Sequence, residues 1–411
     1  MKNILILTNN FPCEGGEQFL ETEIRYWGDL TCCNVYIMPL VFNDTLRPIP
    51  DNIKIIRPLI NKWNFFDKLS FFFKAIAHKN LWKELYLFVS YKKIFKAAAF
   101  LNIFKSVMLF EKEKFNLNHA LKLIEGDVLV YSYWNTFGCY AAADYKKKGR
   151  VSKVVSRAHG YDLYEENSKF DFLPLKRQFL TGVDELYLLS QSAINYCAEK
   201  FSVDKARLNL GRLGVEVPII MPSYTFSSST IRVLSISYCV PVKRIDKILA
   251  ALCEYSRVHA HVEVDWTHVG AGPLYEKFSY EVINIKQKNF KARFVGQLSN
   301  TDVLKLLDGS EFDVFINSSE SEGVPVSIME AMSFGIPTIA PDVGGVSDIV
   351  NSETGYLMPP LCSPEDICYG IRKIIGADNI TRTRVNAREL IKKKFNAKIN
   401  YKLFIQKVVD S

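Results

Sequence analysis

The sequence has no uninterrupted apolar run of the roughly 18 residues that a transmembrane helix requires, so no membrane span is predicted. The apolar run at residues 4–7 is too short for the core of a signal peptide, and we interpret it as a buried strand. Glycine (21 residues) and proline (16 residues) are too few for a fibrous or disordered chain. We therefore expect a folded, cytoplasmic protein.

The cysteines also follow no metal-binding or disulfide pattern. They number nine, an odd number, none is spaced as Cys-x-x-Cys, and Cys32 and Cys33 are adjacent. Reduced thiols are the simplest interpretation. No Asp-x-Asp lies in a suitable loop, and no His, Cys and carboxylate residues cluster at ligand spacing, so no metal is predicted.

The composition is that of a globular protein. At about 150 residues per domain, 411 residues predict two domains, or three. Apolar residues make up 48% and charged residues 23%, which is enough for large hydrophobic cores. The net charge of +8 favours anionic partners, but it does not distinguish nucleotides, lipid headgroups and nucleic acid.

Short β-rich runs alternate with helical patterns from end to end, which indicates an α/β protein with parallel sheets covered on both faces. The predicted strands are residues 3–8, 34–39, 128–133, 153–158, 185–190, 231–237, 263–269, 291–296, 314–317 and 338–341. A Ser-rich stretch at 221–230 interrupts this rhythm, and we interpret it as a linker between two α/β domains. The carboxyl ends of their strands would face each other across a cleft, where open α/β sheets bind ligands.

Residues 62–114 do not fit a plain doubly wound sheet. They carry eleven Lys against four acidic residues, interleaved with aromatic residues such as Phe72, Trp82 and Tyr86. The pattern predicts helices with a broad apolar face and a Lys-rich polar face. Two interpretations remain open: a helical layer packed on the N-terminal sheet, or a surface for anionic membranes or a lipid acceptor.

The most informative stretch is residues 313–350. A strand should end near Asn317, a polar loop should follow, and a helix should run over 324–334 with Gly335 as its stop. The amides of Val324 and of residues 326–328 would form an anion site at the start of this helix. Glu322 and Glu330 cannot bind phosphate themselves, but they can accept hydrogen bonds from hydroxyl groups on either side of a diphosphate. Alternatively, they are two solvated charges.

This stretch resembles the C-terminal signature of the retaining glycosyltransferases of the GT-B fold, family 4. The signature is Glu-x7-Glu followed by Ala-Met-x-x-Gly-x-Pro and Gly-Gly. Further matching motifs cover nearly the whole chain. They are Gly-Gly-Glu at 15–17, His-Gly-Tyr-Asp at 159–162, Gly-x-Gly-Pro at 270–273, Phe-Val-Gly at 294–296 and a Thr-Gly-Tyr-Leu turn at 354–357.

The resemblance implies a GT-B fold of two Rossmann-like domains, over residues 1–225 and 230–386, with a helix at 387–411 that crosses back to the first domain. It also implies roles for individual residues. Glu330 would bind the ribose hydroxyls of a nucleotide-sugar donor and Glu322 the donor sugar, and His159 would reach the sugar from the N-terminal domain. The backbone of the donor site would include Gly15, Gly16, Gly296, Gly323, Val324, Val326 and Ser327. For Gly15 and Gly16 an ordinary tight turn remains an alternative, as does a structural role for His159.

The phosphate-binding cations depart from the family pattern. Where members of the family usually carry Gly-Arg after the first strand of the second domain, this sequence has Ser237 and Tyr238. Lys243 stands where the family has a Lys, and Arg244 follows it. Our hypothesis is that Lys243 and Arg244 together neutralise the diphosphate leaving group, so that neither a metal nor another cofactor is needed. A solvated basic pair at a helix start is the alternative.

The resemblance implies a retaining hexosyltransferase that builds a bacterial surface polysaccharide (capsule, O-antigen or exopolysaccharide) on a lipid-linked saccharide acceptor. Such an enzyme would be cytoplasmic, at the inner face of the membrane, and would not bind nucleic acid. Residues 133–135 would either stack on an acceptor sugar or pack the loop. The sequence leaves three alternatives: a GT-B epimerase or phosphorylase, a non-enzymatic membrane-binding protein, and a nicotinamide-dependent oxidoreductase. Tyr275 and Pro273 argue against the last.

Overall fold

The structure, a computed structural model, describes residues 1–14, 16–92, 96–309, 311–375 and 377–410. The chain forms two compact units, Met1–Gly211 with Leu403–Ser411 (unit 1) and Arg212–Lys402 (unit 2). The division therefore precedes the predicted linker. Residues 221–230 pack onto unit 2, where the Tyr224 hydroxyl donates to Asp313 Oδ1 (2.7 Å) and the Arg384 guanidinium lies 3.8 Å from the Tyr224 ring centroid. The domain bounds inferred from the resemblance stay a prediction.

Unit 1 is built on a parallel sheet that has seven strands within the described residues, in the order β3-β2-β1-β4-β5-β6-β7. The strands are β1 (Lys2–Thr8), β2 (Cys33–Pro39), β3 (Ile53–Ile55), β4 (Val128–Ser132), β5 (Lys153–Ala158), β6 (Glu185–Leu188) and β7 (Leu208–Leu210). The helices are α1 (Leu20–Gly28), α2 (Phe65–Ala77), α3 (Lys79–Lys92), α4 (Ala97–Leu123), α5 (Phe137–Lys146), α6 (Lys176–Phe179) and α7 (Gln191–Phe201).

Unit 2 has a second parallel sheet, with six strands among the residues described, in the order β10-β9-β8-β11-β12-β13. The strands are β8 (Thr230–Ile236), β9 (Glu263–Val269), β10 (Phe290–Phe294), β11 (Val314–Ile316), β12 (Thr338–Pro341) and β13 (Gly355–Met358). The helices are α8 (Ile245–Val258), α9 (Tyr275–Ile283), α10 (Asn300–Gly309), α11 (Val326–Ser333), α12 (Pro364–Ile374) and α13 (Ala377–Lys394). A last helix, α14 (Ala397–Asp410), contributes residues to both units.

The fold class predicted from the sequence is confirmed: two Rossmann-like domains, each with a parallel sheet between helices. The central strands are almost wholly apolar and buried, as in β1, because both sheet faces are covered. The edge strands β3, β7 and β13 were not predicted. In particular, three residues of the turn predicted at 354–357 belong to the edge strand β13, which pairs in parallel with β12, and the turn precedes this strand.

The insert at 62–114 forms helices α2, α3 and α4, apart from residues 93–95, which lie outside the described part of the chain. The long helix α4 packs on the sheet and on α5, while α2 and α3 pack on the outer side of α4. Within the described residues, no helix is long and apolar enough to cross a membrane.

The C-terminal half of α14 completes the core of unit 1. Phe404 is buried against Trp27 and Tyr131, and its ring centroid lies 4.2 Å from the guanidinium of Arg157. Arg157 has no exposed surface and forms an ion pair with Glu23, which is also buried. A buried charge of this kind requires a partner, and here it has both a carboxylate and aromatic faces.

Candidate active site

In unit 2, the two predicted residues Lys243 and Glu322 contact each other. They lie on the loops that follow the neighbouring strands β8 and β11, whose carboxyl ends share one edge of the sheet. The Nζ atom of Lys243 lies 2.7 Å from Oε1 of Glu322, and Asn317 Nδ2 donates to the same oxygen at 3.0 Å. The Glu322 side chain is 9% exposed and that of Lys243 is 23% exposed, so the pair is only partly accessible to water.

The two loops that carry this pair are joined by hydrogen bonds. The Ser318 hydroxyl donates to the carbonyls of Lys243 (3.0 Å) and Arg244 (2.8 Å), and the Glu320 amide donates to the Val242 carbonyl (2.9 Å). The loop around Lys243 is therefore held in place by the loop that precedes α11. This anchoring restricts the backbone of the loop before any ligand binds, so less conformational entropy is lost on binding.

Arg244 was predicted to act together with Lys243 as a basic pair, but its guanidinium has carboxylate partners of its own. Its backbone is left-handed (φ 49°) at the start of α8. Its guanidinium bonds Asp246 at 2.9 Å and also contacts Glu320. Two carboxylates thus already neutralise Arg244, while Lys243 has only Glu322. The role predicted for Arg244 in the leaving-group site stays a prediction.

Helix α11 begins at Val326, two residues later than predicted. The reason is Pro325, which has an extended backbone (ψ 114°) and stands at the N-cap rather than inside the first turn. The first hydrogen bond of the helix runs from the Met329 amide to the Pro325 carbonyl (3.3 Å). Val326 and Ser327 therefore stand in the first turn, while Gly323 and Val324 lie in the loop before the helix.

Glu330 lies inside α11 and is 9% exposed. Asn300, the first residue of α10, donates from Nδ2 to Glu330 Oε1 at 2.6 Å. Burial raises the pKa of Glu330 to about 7, and the hydrogen bond from Asn300 only partly opposes this effect. A buried carboxylate with few partners can accept hydrogen bonds from hydroxyl groups of a ligand.

The glycine pair of the signature shapes the loop before α11. A Cβ on Gly344 (φ 59°) would lie 1.9 Å from the Glu322 carbonyl oxygen. The amide of Gly345 donates to the Gly323 carbonyl at 2.6 Å. No side chain fits between these two segments, so the glycines allow the loop to hold Glu322 in place.

Gly296 follows β10 with a left-handed backbone (φ 72°), and its carbonyl accepts from the Gly270 amide at 2.8 Å. Gly270 follows β9, and a Cβ there would lie 1.9 Å from the Ser237 carbonyl oxygen. The glycines thus bring together the loops after β8, β9 and β10. Tyr238 is 54% exposed in the first of these loops, where the family usually has Arg.

A buried hydrogen-bond chain behind these loops was not predicted. Trp266 Nε1 donates to Ser235 Oγ (2.9 Å), and Ser235 Oγ lies 2.8 Å from His268 Nδ1. His268 Nε2 lies 3.4 Å from Cys239 Sγ, which donates to the Gly270 carbonyl at 3.6 Å. One direction satisfies every member: Trp266 donates to Ser235, Ser235 to His268, His268 to Cys239 and Cys239 to Gly270. Burial lowers the pKa of His268 to about 4, which agrees with a neutral ring.

In unit 1, the prediction for Gly15 lies outside the described residues. The neighbouring Gly16 has φ 149°, and its carbonyl accepts from Arg47 Nη1 at 2.6 Å. The residue that organises this loop is Glu17, for which no role was predicted beyond its place in the Gly-Gly-Glu motif. Its buried carboxylate accepts from the amides of Asn9 (3.0 Å), Asn10 (2.6 Å) and Phe11 (2.6 Å) and from the Trp134 indole.

His159 follows β5, is 9% exposed and packs against the rings of Tyr133 and Trp134, with centroids at 4.7 and 4.3 Å. Both ring nitrogens are buried without a hydrogen-bond partner among the described residues, and Asp162 Oδ2 lies 3.8 Å from Nδ1. The role predicted for His159 at the sugar stays a prediction.

Some neighbours of His159 are buried in the loop, and others are exposed to water. Tyr133 and Asn135 are about 1% exposed and pack the loop, whereas Trp134 is partly exposed and lies 4.9 Å, ring to ring, from the half-exposed Tyr161. Asp162 bonds the amides of His159 (2.6 Å) and Asn135 (2.8 Å), so it shapes the loop.

Among the described residues, no group of three or more His, Cys, Asp and Glu side chains could hold a metal ion. Metal independence stays a prediction.

Residues 217–393, less than half of the chain, match the family model of the glycosyl transferases group 1. A relative from Bacillus anthracis, N-acetyl-alpha-D-glucosaminyl L-malate synthase, is 26% identical over 51% of this chain and 55% of its own length. The putative colanic acid biosynthesis glycosyltransferase WcaL of Escherichia coli K12 is 22% identical over 63% of this chain and 64% of its own length. The chain thus spans less than two thirds of the length of each.

Among solved structures, the lipopolysaccharide outer core galactosyltransferase WaaB matches with a TM-score of 0.69 at 16% identity, over 99% of both chains. Anabaena HepE in complex with UDP-glucose matches with a TM-score of 0.64 at 13% identity, over the full length of both. These likenesses show the GT-B fold. The family model covers residues 217–393 only, so membership of the group 1 glycosyl transferases, the retaining mechanism and family 4 stay predictions.

Proposed function

We propose that this chain is a retaining glycosyltransferase that moves a hexose from a nucleotide-diphosphate sugar to a saccharide acceptor. The observation that carries the proposal is the arrangement in unit 2. The ion pair of Lys243 and Glu322 and the buried carboxylate of Glu330 lie on either side of the first turn of α11, on loops fixed by glycines and by Ser318. This arrangement offers acceptors for hydroxyl groups and donors for a diphosphate.

Each group has a proposed task on the donor. Glu330 accepts hydrogen bonds from the ribose hydroxyls, and Glu322 accepts one from the donor sugar. The amides of the first turn of α11 bond the diphosphate, because unpaired amides and the helix dipole favour anions. Gly296 and the glycine loop around Gly16 let the backbone approach the ligand.

Lys243 supplies the positive charge for the leaving group. As the bond between the anomeric carbon and the diphosphate oxygen breaks, negative charge develops on that oxygen, and a fixed cation stabilises it. Asp246 and Glu320 already neutralise Arg244, so in this proposal it adds less charge. The acceptor oxygen forms its bond to the anomeric carbon on the same face, and its proton passes to the departing phosphate oxygen. No metal takes part.

In this proposal the acceptor binds to unit 1. Trp134 and Tyr161 present ring faces for a sugar, and His159 packs against the Trp134 ring beside them. Relatives whose names refer to colanic acid and amylovoran biosynthesis support an acceptor in a bacterial surface polysaccharide. A lipid-linked acceptor at the inner membrane face, and hence a cytoplasmic, peripheral enzyme, completes the proposal.

The experiment is calorimetric binding of nucleotide diphosphates and their sugars, without metal, to the wild type and to Glu330→Ala. The panel begins with uridine and guanosine compounds, because HepE was solved in complex with UDP-glucose and a relative from Corynebacterium glutamicum is named a GDP-mannose-dependent mannosyltransferase. Glu353→Ala is the matched control, since Glu353 is an exposed carboxylate of the same unit. We expect one series to bind the wild type and the control, and to bind Glu330→Ala at least about tenfold more weakly.

The second experiment is a transfer assay, in which the donor identified by calorimetry is incubated with the protein and membrane extracts in excess chelator. Labelled sugar should enter an acceptor, and its linkage should keep the anomeric configuration of the donor. Isomerised donor without transfer would instead indicate an epimerase. Activity that is abolished by chelator and restored by magnesium or manganese would refute the metal-free mechanism.

A further inference from the structure

Helix α2 has two apolar faces, of which unit 1 buries only one. Phe71 and Ala75 are buried against α4. A second set of apolar side chains is 40–78% exposed and recurs every three to four residues, so it forms one stripe along the helix: Phe65, Phe66, Leu69, Phe72, Phe73 and Ile76. A surface helix normally has one apolar stripe, which faces the core.

The stripe continues onto α3. Trp82 is 60% exposed, and its indole Nε1 donates to the Ile76 carbonyl at 3.0 Å, which ties the end of α2 to the first turns of α3. Tyr86, one turn further along α3, is 72% exposed. We call these eight side chains of α2 and α3 the aromatic face. Contiguous exposed apolar surface of this kind marks an interaction site in soluble proteins.

The charges around the aromatic face have one dominant sign. Lys68 lies beside the stripe on α2, and Lys79 and Lys83 flank Trp82 on α3; all three are exposed. The acids of the two helices are already engaged. Asp67 completes the capping box with Asn64, and Glu84 is fully buried, where it bonds the Leu175 amide and Gln178.

We propose that the aromatic face docks unit 1 on an anionic lipid bilayer. Phe, Trp and Tyr side chains settle at the boundary between headgroups and acyl chains, while flanking lysines contact anionic headgroups. A second copy of the chain would be a poorer partner, because facing copies would bring lysines against lysines. The proposal concerns a surface distinct from the candidate donor and acceptor sites, and it does not depend on the transferase activity.

The test measures binding of the full chain to vesicles. Wild-type protein should sediment with vesicles that contain phosphatidylglycerol and much less with phosphatidylcholine alone. Phe65→Ser/Phe66→Ser/Phe73→Ser removes side chains that are 61–78% exposed, so folding should be unaffected, as circular dichroism can verify. We expect its partition coefficient to fall by at least about tenfold. Lys68→Glu/Lys79→Glu/Lys83→Glu should lose about fivefold or more per lysine on anionic vesicles.

The matched control lies in unit 2, where Tyr280 and Ile283 are 72% and 80% exposed and Lys286 and Lys288 are exposed. Tyr280→Ser/Ile283→Ser and Lys286→Glu/Lys288→Glu should bind vesicles like the wild type. Lipids brominated near the headgroup should quench tryptophan fluorescence, and Trp82→Phe should remove most of this quenching.

Two outcomes would overturn the proposal. One is equal binding by the wild type and the Phe variant. The other is self-association of the wild type, abolished by the same substitutions, without vesicle binding, because a second copy would then cover the aromatic face. Vesicle binding with no donor binding would leave this proposal intact and contradict the proposed function.

Discussion

The Nζ atom of Lys243 lies 2.7 Å from Oε1 of Glu322, so a predicted phosphate-binding cation and a predicted sugar-binding carboxylate form one ion pair. Neither charge is free in the ligand-free protein. A bound diphosphate would share Lys243 with Glu322, and Asn317 would continue to hold the carboxylate. The two residues therefore act as a unit, and their substitutions should not be additive.

Lys243→Ala should lower kcat by about 10²-fold, because the leaving group loses its fixed cation. Lys243→Arg should recover part of that rate, since it keeps the charge with a different geometry. Steady-state kinetics with the donor identified by calorimetry measures both. Lys288→Ala, at an exposed lysine, is the control; if Lys243→Ala matches it, Lys243 has no role at the leaving group.

Glu330 should make stability fall as the pH rises. Burial raises its pKa to about 7, whereas an unfolded chain titrates near about 4.3. The folded state therefore holds the proton more tightly, and this stabilisation is complete below about pH 4 and lost as the pH rises through 7. Gln does not titrate, so the free energy of unfolding of Glu330→Gln should rise relative to that of the wild type by about 3 kcal/mol between these limits. Urea unfolding at several pH values measures the difference.

Glu353→Gln is the control for that series, because its exposed carboxyl should titrate alike in both states. A pH-independent difference between Glu330→Gln and the wild type would show that burial does not raise the pKa of Glu330.

Cys239→Ala should weaken donor binding by about fivefold or more, because it removes both the acceptor for His268 and the donor to the Gly270 carbonyl. Cys239→Ser keeps both functions in a smaller group and should restore most of the affinity. The effect should be constant from pH 6 to 8, since the pKa of His268 lies near 4. Calorimetry of donor binding separates this positioning role from a loss of stability, which unfolding measures independently. Equal weakening in both variants would indicate that only side-chain volume matters.

Glu17→Ala should lower the free energy of unfolding by about 3 kcal/mol, because three loop amides and an indole lose their common acceptor. Glu17→Gln keeps one acceptor oxygen, so its free energy of unfolding should lie between those of the wild type and Glu17→Ala. Glu14→Ala, at an exposed neighbour in the same loop, should change stability little. Chemical denaturation gives the three values, and similar values for Glu14→Ala and Glu17→Ala would contradict the role of Glu17.

Phe404→Ala should destabilise the protein by about 3 to 5 kcal/mol, since it opens a cavity beside Trp27 and Tyr131 and uncovers the buried Arg157. Leu403→Ala is the matched control, because Leu403 precedes it in α14 and is 54% exposed. A shift of the denaturation midpoint in Phe404→Ala alone is the expected result. Equal shifts in the two variants would be evidence against the packing of Phe404 in unit 1.

The sequence predicted the central strands because buried parallel strands such as β1 are continuous apolar runs. It missed β3 and β7, which are three residues each and gain their structure from one neighbouring strand. The start of α11 was predicted two residues early, since the sequence does not reveal that Pro325 adopts an extended backbone.

The family resemblance predicted Glu322, Glu330 and Lys243, but not the groups that hold them. Ser235, His268 and Cys239 lie far apart in the sequence, and their hydrogen-bond chain exists only once β8 and β9 pair. Glu17 was likewise part of a recognised motif, yet its task depends on a left-handed backbone and on Trp134, more than a hundred residues away. Such partners follow from topology rather than from local pattern.

The split of α14 between the units affects how the nascent chain folds. While the ribosome is still translating residues 212–402, unit 1 lacks Phe404, so Trp27, Tyr131 and the Arg157–Glu23 pair remain uncovered. Domains usually fold one after another as they emerge during synthesis. Here the core of unit 1 can close only after residues 212–402 have been made, so Trp27 and Tyr131 stay exposed to water longer during synthesis than the rest of that core.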